Sequence, residues 1–363
     1  MRRPTVGVIG CAGFMSQAVY LPALTARPEV DLVAACDIRT ALGATVARRF
    51  AIPRFSRSVD DILQDPAIDA VFILTPPWTH AKLGRASLEA AKDVFLEKPI
   101  ALSSDMARQL VSLADARQRV LCVGYMKRHD RLCRYAERLA TRLQARLGKA
   151  VAALLEVTLG GWRDGHSKQA VIDAVPAPVP GDLGLPGWVD PTDRSLYFLL
   201  ISAFSHDLNL LRAFAGEPLA VRHSRFHVLA TGGGCISATL DFGEFDGAVV
   251  LRAATPSSRW HERLVLTYEH GRIELQVGAP LLPTATTYFT VQLDAHVVER
   301  RGPSGTALEN QIASFVQTLR TRQLRTGRGE DALRDVQLGE AIYHAREAPN
   351  GRGRMALETA DRP

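Results

Sequence analysis

Short hydrophobic runs alternate with amphipathic helical patterns through the first 125 residues. Runs rich in Val, Ile and Leu that are separated by helices are typical of a parallel sheet covered on both faces. We therefore predict a doubly wound α/β domain, in which ligands bind at the carboxyl ends of the strands. The predicted strands are 5–9, 32–36, 70–74, 93–96 and 120–123, and the predicted helices are 16–26, 40–50, 59–64, 80–91 and 104–117.

The pattern changes after residue 125. An arginine-rich amphipathic helix is predicted at 128–147, a strand at 150–158, a long loop at 163–193 and one apolar helix at 196–215. Strands then follow one another without helices between them, which indicates an antiparallel or mixed sheet. These strands are predicted at 220–229, 234–241, 247–254, 261–268, 271–276 and 288–293, and two closing helices at 307–321 and 329–345.

These patterns predict three parts. Residues 1–125 are expected to form a Rossmann domain, and residues 126–350 an α+β domain with an open, mostly antiparallel sheet that binds substrate. Residues 351–363 form a polar tail.

Composition excludes several classes of protein. At 47% hydrophobic residues the chain has ample material for cores. No apolar run is long enough to span a membrane, and the N-terminus lacks the pattern of a signal peptide, so we expect a cytoplasmic protein. The net charge of +6 is compatible with anionic ligands or with a solvated surface, but no nucleic-acid-binding motif is present. The five scattered cysteines and the isolated histidines show no metal-ligand spacing, and we expect no metal.

The turn after the first predicted strand is built from small residues. Gly10, Ala12 and Gly13 let the backbone approach a pyrophosphate, and the helix that begins at Phe14 and Met15 supplies unpaired amides. The full G-x-G-x-x-G pattern is not met, so a purely structural turn remains an alternative. Asp37 follows the second strand, where a carboxylate can bind both ribose hydroxyls and would favour NAD. Arg39 could reverse that preference by pairing with the 2′-phosphate of NADP.

Two further strand ends carry candidate residues. Thr75 and Pro76 lie where a cofactor would pass, and His80 either contacts it or begins a helix. Glu97 and Lys98 follow the next strand, and Lys98 is a candidate proton donor or acceptor beside a nicotinamide. Pro99 after it can form a cis peptide bond. In the predicted apolar helix, His206 is either a core histidine or, if the helix faces the cofactor cleft, an acid/base group.

These residues, in this order, resemble the glucose–fructose oxidoreductase/inositol dehydrogenase/rhizopine-catabolism (Gfo/Idh/MocA) family. The resemblance also includes residues 123–125, the segment from His206 through Asn209 and Arg212 to Gly216, and the last predicted helix. It implies a nicotinamide-dependent enzyme that transfers hydride to or from a hydroxyl-bearing carbon of a sugar, nucleotide sugar or cyclitol, assembled as a homodimer or homotetramer through the C-terminal sheet.

Carried over residue by residue, the resemblance makes Lys98 and His206 catalytic. The cofactor contacts it implies are Gly10, Ala12, Gly13, Phe14, Met15, Asp37, Arg39, Thr75, Pro76, His80, Glu97 and Lys98. The substrate contacts it implies are Lys98, Tyr125, Arg128, Trp162, Ser202 and His206.

The chain departs from this family at two positions. Ser202 stands four residues before His206 where the family commonly has an aspartate, and Asn209 replaces an acidic residue. Lys98 alone, His206 as the direct base, or a contribution from Tyr125, His129 or Tyr197 therefore remain alternatives. Two other functions also remain open. The protein could be an enzyme that retains NAD and uses transient oxidation to drive elimination, epimerisation or glycoside cleavage. It could also be a non-catalytic regulator or scaffold that binds the dinucleotide.

Overall fold

Six parallel strands form the N-terminal sheet of the computed structural model, which describes residues 2–160, 179–230, 233–253, 259–282, 285–303 and 306–346. The strands are β1 (Thr5–Ile9), β2 (Asp31–Cys36), β3 (Arg54–Ser56), β4 (Ala70–Ile73), β5 (Asp93–Leu96) and β6 (Leu121–Val123). Their order across the sheet is β3-β2-β1-β4-β5-β6, which is the Rossmann order. The strand order reverses beside β1, so the loops that follow β1 and β4 frame the predicted binding crevice.

The central strands are buried on both faces. Along β4, Val71 and Ile73 enter one hydrophobic core while Phe72 enters the other. This two-sided burial explains why the strand is a continuous apolar run rather than an alternating one. The helices of this region are a π-helical turn (Ser16–Tyr20) that leads into α1 (Leu21–Thr25), α2 (Thr40–Arg49), α3 (Asp60–Leu63), α4 (His80–Glu89) and α5 (Ser104–Ala116).

The second sheet contains eight strands in the described part of the chain. They are β7 (Ala150–Thr158), β8 (Ala220–Val228), β9 (Gly234–Asp241), β10 (Asp246–Ala253), β11 (His261–Tyr268), β12 (Gly271–Gln276), β13 (Thr286–Leu293) and β14 (His296–Pro303). Their order is β14-β13-β12-β11-β7-β10-β9-β8, and only the β7–β10 pair is parallel. The prediction of a Rossmann sheet followed by an open, mostly antiparallel sheet is confirmed.

Five helices accompany the second sheet in the described residues. They are α6 (Arg131–Leu147), α7 (Arg194–Ser202), α8 (Ser205–Ala215), α9 (Ala307–Thr321) and α10 (Gly329–His344). The last two return to the N-terminal sheet. Phe315 of α9 packs its ring 5.2 Å from that of Phe72 and 5.4 Å from that of Phe95, and Val336 of α10 joins the core on the opposite face. The division of the chain at residue 125 stays a prediction.

The sequence patterns missed two strands and a helix break. The short edge strand β3 and the edge strand β14, which is exposed along most of its length, have no buried face to impose an alternating pattern. The predicted helix at 196–215 is two helices, because the amides of Ala203 and Phe204 both donate to the Leu199 carbonyl oxygen and the chain turns before Ser205. None of the described helices combines the length and hydropathy required to cross a membrane.

Candidate active site

The turn after β1 begins with Gly10, whose φ of +90° lies in the left-handed region that favours glycine. A Cβ atom at this position would lie 2.8 Å from Thr75 Cγ2 and 3.0 Å from the Leu74 carbonyl carbon. The amides of Gly10 and Cys11 donate to the Cys36 carbonyl oxygen at 2.8 and 3.1 Å. Gly10 therefore allows the loops after β1, β2 and β4 to approach one another closely.

Asp37 is buried at the end of β2 and is bound to this turn. Its Oδ2 accepts a hydrogen bond from the Ala12 amide at 2.8 Å, and its Oδ1 accepts one from the Arg39 amide at 2.9 Å. The Arg39 guanidinium also pairs with the carboxylate, with Nε 3.0 Å from Oδ1. The two residues predicted to select between NAD and NADP are thus in direct contact.

The side chains of Phe14 and Met15 are engaged in packing. Both lie against a small apolar cluster that joins the helix start to the C-terminal half, formed by Met126, Leu281, Ala307 and Leu308. Gly13, just before them, has its Cβ position 3.4 Å from the Gly10 carbonyl oxygen. A ligand at this turn would therefore meet backbone atoms rather than long side chains.

His80, predicted to contact a cofactor or begin a helix, is fully buried at the start of α4. Its Nδ1 lies 2.7 Å from the Pro99 carbonyl oxygen and its Nε2 lies 2.8 Å from the Thr75 carbonyl oxygen. Burial lowers the pKa of His80. Both ring nitrogens are therefore directed at backbone carbonyls of the loops after β4 and β5, which the side chain holds together. Pro76 precedes a 3₁₀ turn (Pro77–Thr79), whose Thr79 hydroxyl donates to Thr75 Oγ1 at 2.6 Å.

Glu97 lies beneath the same edge of the sheet and joins three segments. Its Oε1 accepts a hydrogen bond from the Tyr20 hydroxyl, and that hydroxyl accepts one from Gln311 Nε2 of α9 at 2.9 Å. Its Oε2 accepts one from the Lys98 amide at 3.0 Å. Burial raises the pKa of Glu97. This carboxyl group anchors the backbone that carries Lys98.

Lys98 extends from the end of β5 to the break between α7 and α8. Its Nζ donates to the Ser202 carbonyl oxygen at 2.7 Å, and the Lys98–Pro99 peptide bond is cis, as the sequence suggested. Burial and the nearby Lys127 charge lower the pKa of Lys98, while Glu97 and Asp207 oppose this effect. An ammonium group has three donors, so one bond to a carbonyl leaves Lys98 able to bind a further oxygen.

His206 lies beside Lys98 with its Nδ1 buried and without a hydrogen-bond partner in the described residues. Its ring stands edge-on to that of Tyr125, with centroids 5.8 Å apart. Burial, followed by the charges of Lys98 and Lys127, holds the pKa of His206 well below its usual range. The imidazole is therefore neutral at neutral pH, and its buried Nδ1 is an unsatisfied polar atom among the described residues.

Ser202 does not supply the partner that His206 lacks. Its hydroxyl donates to the Phe198 carbonyl oxygen at 2.5 Å, within its own helix. Because the helix breaks before Ser205, Ser202 and His206 lie on two different helices. The four-residue spacing between them therefore does not place their side chains on one helix face. Ser202 instead contributes its carbonyl oxygen to Lys98.

A buried charge cluster that the sequence interpretation missed lies next to Lys98. Lys127 Nζ is 2.6 Å from Asp207 Oδ1 and 2.7 Å from Glu262 Oε1, and all three side chains are at most 3% exposed. Burial alone would lower the pKa of Lys127, but the two neighbouring carboxyl groups outweigh it, and the pKa of Lys127 is raised. Burial also raises the pKa of Glu262. The sequence carries one sign of this buried cluster. Glu262 alternates with Leu264 and Leu266 along β11, so its carboxyl group shares their inward face.

A second polar network lies on the other side of Tyr125. Asn209 Nδ2 donates to Asp335 Oδ2 at 2.8 Å and to Asp331 Oδ2 at 3.0 Å, and the Arg212 guanidinium pairs with both carboxylates. Burial raises the pKa of Asp335 to about 7, and the charge of Asp331 adds to this effect while Arg212 opposes it. The network fixes α8 against α10.

The remaining predicted substrate contacts are placed differently. Tyr125 is buried beside His206, whereas Arg128 lies 3.4 Å from Glu137 Oε1 and 3.9 Å from Asp331 Oδ2. Trp162 lies outside the described residues. Of the other residues that the sequence left open, Tyr197 donates its hydroxyl to the Leu102 carbonyl oxygen at 2.9 Å, and His129 is buried.

The residues at the carboxyl edge of the N-terminal sheet fit a dinucleotide. A glycine-dependent turn after β1 and a buried carboxylate at the end of β2 are features by which this fold holds a dinucleotide. Residues 5–125 match the model of an oxidoreductase family with an NAD-binding Rossmann fold, Gfo/Idh/MocA.

The match covers the N-terminal sheet with its helices and ends at residue 125.

Several curated proteins are similar to part of the chain. Over 133 residues the chain is 35% identical to the dTDP-3,4-didehydro-2,6-dideoxy-α-D-glucose 3-reductase of Saccharopolyspora spinosa, a match that covers 36% of this chain and 39% of that protein. Over 107 residues it is 33% identical to the scyllo-inositol 2-dehydrogenase (NAD⁺) of Bacillus subtilis, covering 30% of this chain and 31% of that protein. The match thus spans roughly a third of the length of these curated relatives.

Solved structures share the fold over nearly the whole chain. A 3-ketoreductase from Actinomadura kijaniata, in complex with NADP and TDP-benzene, superposes with a TM-score of 0.73 at 19% identity over 95% of this chain and 98% of that chain. A putative myo-inositol dehydrogenase from Sinorhizobium meliloti gives a TM-score of 0.70 at 19% identity over 94% and 97%.

Proposed function

We propose that this protein is an NAD(P)-dependent oxidoreductase that transfers hydride between a nicotinamide and a hydroxyl-bearing carbon of a sugar, nucleotide sugar or cyclitol. One observation carries the proposal, which is the position of Lys98 beside the unpaired His206 at the carboxyl end of β5. In this fold, that edge of the sheet is where the cofactor and substrate meet.

The bound nicotinamide supplies the hydride donor or acceptor, and the protein must handle the accompanying proton. Lys98 donates to the Ser202 carbonyl oxygen and keeps further donors for a substrate oxygen. Burial lowers its pKa, which brings the ammonium group closer to the range in which it exchanges a proton. The neutral His206 is the second polar group there, and its Nδ1 is suited to accept a hydrogen bond from a substrate hydroxyl.

The cofactor-binding residues follow from the turn geometry. Backbone atoms at Gly10, Ala12 and Gly13 would face the pyrophosphate, and Asp37 would bind the adenosine ribose. Asp37 favours NAD, because its carboxylate repels a 2′-phosphate and neutralises Arg39. Thr75 and Pro76 would border the cofactor, with Glu97 and His80 supporting the loops behind it.

The substrate class rests on the relatives. The two curated relatives are named for a dTDP-linked keto sugar and for scyllo-inositol, which share a ring carbon that carries a hydroxyl or keto oxygen. A neutral imidazole and a lysine suit such an oxygen without requiring a charged substrate. The cytoplasmic location, and assembly as a homodimer or homotetramer through the C-terminal sheet, stay predictions.

Replacing Lys98 with methionine tests the proposal. We expect Lys98→Met to lower kcat by roughly 100- to 10,000-fold, the usual effect of removing an acid/base group, while NADH binding is retained. The assay follows reduced nicotinamide by absorbance with NAD and NADP against inositols, free sugars and dTDP-linked keto sugars. Dinucleotide affinity is measured separately by quenching of the tryptophan fluorescence.

Lys82→Met is the matched control, because Lys82 is an exposed lysine on α4 of the same domain. It should leave both turnover and affinity unchanged. Full activity in Lys98→Met would overturn the assigned mechanism. If the protein binds a dinucleotide that co-purifies with it but shows no net turnover, an internal redox cycle is favoured over net oxidation or reduction. If it binds neither dinucleotide, a non-catalytic role is favoured.

A further inference from the structure

A cavity of about 510 Å³ lies away from the dinucleotide edge, between α6, α9 and the segment 323–326. Its wall on α6 carries Arg131, Arg134 and Arg138, which share one face of the helix because of their spacing. Arg325 enters it from the segment that follows α9. None of the residues of the candidate active site lines this cavity.

The charge in this cavity is unbalanced. In the part of the chain that the structure describes, the cavity lining contains no aspartate or glutamate, and no ion pair involves any of its four arginines. Arg212 and Arg263, by contrast, are paired with carboxylates. Four guanidinium groups around one concave site create a positive potential that attracts anions.

The buried His129 also lines this cavity. Burial, together with the positive charges of Arg134 and Arg128, lowers its pKa to about 4. The opposite wall, on α9, presents uncharged polar side chains, including Ser314 and Gln317. The cavity therefore combines charge for an anion with hydrogen-bonding groups that could orient it.

The lining also limits the kind of anion. A guanidinium group forms bidentate hydrogen bonds with phosphate oxygens, and several of them around one site match a group with more than one phosphate. Among the described residues no Phe, Tyr or Trp lines the cavity, so these residues offer no aromatic ring to stack on a nucleobase. The recognition chemistry is thus that of a diphosphate group rather than of a base.

We propose that this cavity is a second anion site that binds a diphosphate group. The group is carried either by inorganic pyrophosphate or by the terminal diphosphate of a nucleotide such as ADP, and not by the diphosphate of NADH, which is esterified at both ends. The site is separate from the dinucleotide-binding edge and binds its ligand whether or not that edge is occupied.

Calorimetric titration of the full chain with inorganic pyrophosphate tests this proposal. The titration is done in magnesium-free buffer of fixed ionic strength, with NADH present at saturation so that the dinucleotide edge is filled. We expect one pyrophosphate per chain, and binding at least about tenfold weaker for orthophosphate, which can engage fewer guanidinium groups at once.

Arg134→Gln combined with Arg138→Gln should weaken pyrophosphate binding by about tenfold or more. Arg142→Gln combined with Arg146→Gln is the matched control, because both residues are exposed on the same helix but do not line the cavity. The control should bind as the wild type does, and both double variants should keep the wild-type melting temperature.

Titration with ADP tests which molecule carries the diphosphate group. ADP binding as tightly as pyrophosphate supports recognition of the diphosphate alone, and tighter ADP binding supports a nucleotide as its carrier. Absence of saturable binding, equal weakening in the two double variants, or displacement of pyrophosphate by NADH would each overturn the proposal.

Discussion

Removing the ammonium group of Lys127 should destabilise the protein far more than removing a surface lysine. Lys127 lies 2.6 Å from Asp207 and 2.7 Å from Glu262, and these side chains are at most 3% exposed. In Lys127→Met the methionine fills most of the space of the lysine stem, but the carboxyl groups lose their counter-charge. Leaving a buried charge unpaired costs about 3–5 kcal/mol of unfolding free energy.

The comparison variant is Lys149→Met. Lys149 pairs with Glu244 at 3.4 Å, but both side chains are about two-thirds exposed, at 69% and 67%. An exposed pair of this kind contributes roughly 0–1 kcal/mol. Equilibrium urea unfolding followed by circular dichroism should therefore separate the two variants by about 2 kcal/mol or more.

The triple variant Lys127→Met, Asp207→Asn and Glu262→Gln shows whether the loss comes from charge. Its side chains keep nearly the same shapes but carry no charge, so it should recover at least half of the stability lost in Lys127→Met. Equal stability of Lys127→Met and Lys149→Met would refute the reasoning, and so would a triple variant no more stable than the single one. A second readout is the pH profile of turnover, in which loss of the Lys127 charge should raise the pKa of Lys98.

Three other predictions follow from the geometry of the site and its supports. Gly10→Ala should weaken dinucleotide binding and lower the unfolding free energy by about 1–3 kcal/mol, because the added Cβ would lie 2.8 Å from Thr75 at a φ of +90°. The control is Gly187→Ala, where a Cβ would meet nothing within 4 Å, and equal effects in thermal unfolding would contradict the assignment. Asp37→Ser should weaken NADH binding by about 10- to 100-fold and favour NADPH, since Arg39 loses its carboxylate partner; unchanged affinities in fluorescence titration would rule this out. Burial raises the pKa of Asp335 from 3.8 to about 7, so between these values the native state holds a proton that the unfolded chain has lost. This contribution to stability falls as pH rises through that window, by up to about 1.4 kcal/mol per pH unit, and Asp335→Asn should flatten the decline in urea unfolding. Parallel curves for wild type and variant would count against it.

The first half of the fold was predictable because burial on both faces leaves a clear pattern. Residues such as Val71, Phe72 and Ile73 form an uninterrupted apolar run, and the strand there needs no tertiary information to be recognised. The strand β14 is different. Its side chains are mostly exposed, so its pairing with β13 depends on backbone hydrogen bonds and on the tight turn at Asp294, whose φ is +52°.

The site was predictable to the extent that it follows strand ends. Gly10, Asp37, Thr75 and Lys98 each come just after a parallel strand, and parallel strands bring such residues to one edge of the sheet. Lys127, Asp207 and Glu262 lie in three segments that are distant in sequence, so only the packing of α8 and β11 brings them together. The break after Ser202 was missed for a related reason, since apolar residues continue through it and only the bonds to Leu199 end the first helix.

The absence of an aspartate at position 202 changes how charge is distributed around Lys98, the proposed catalytic lysine. Ser202 turns its hydroxyl to the Phe198 carbonyl oxygen, so the only polar atom that it offers to Lys98 is its own carbonyl oxygen. The nearby carboxylate is Asp207, but its closest partner is Lys127 rather than His206. Among the described residues no carboxylate pairs with His206, whose pKa is lowered first by burial, whereas Lys98 has the charge of Lys127 near it. If the proposed function holds, we therefore expect proton exchange to depend more on Lys98 and on the substrate oxygen than in a site where an aspartate holds the histidine.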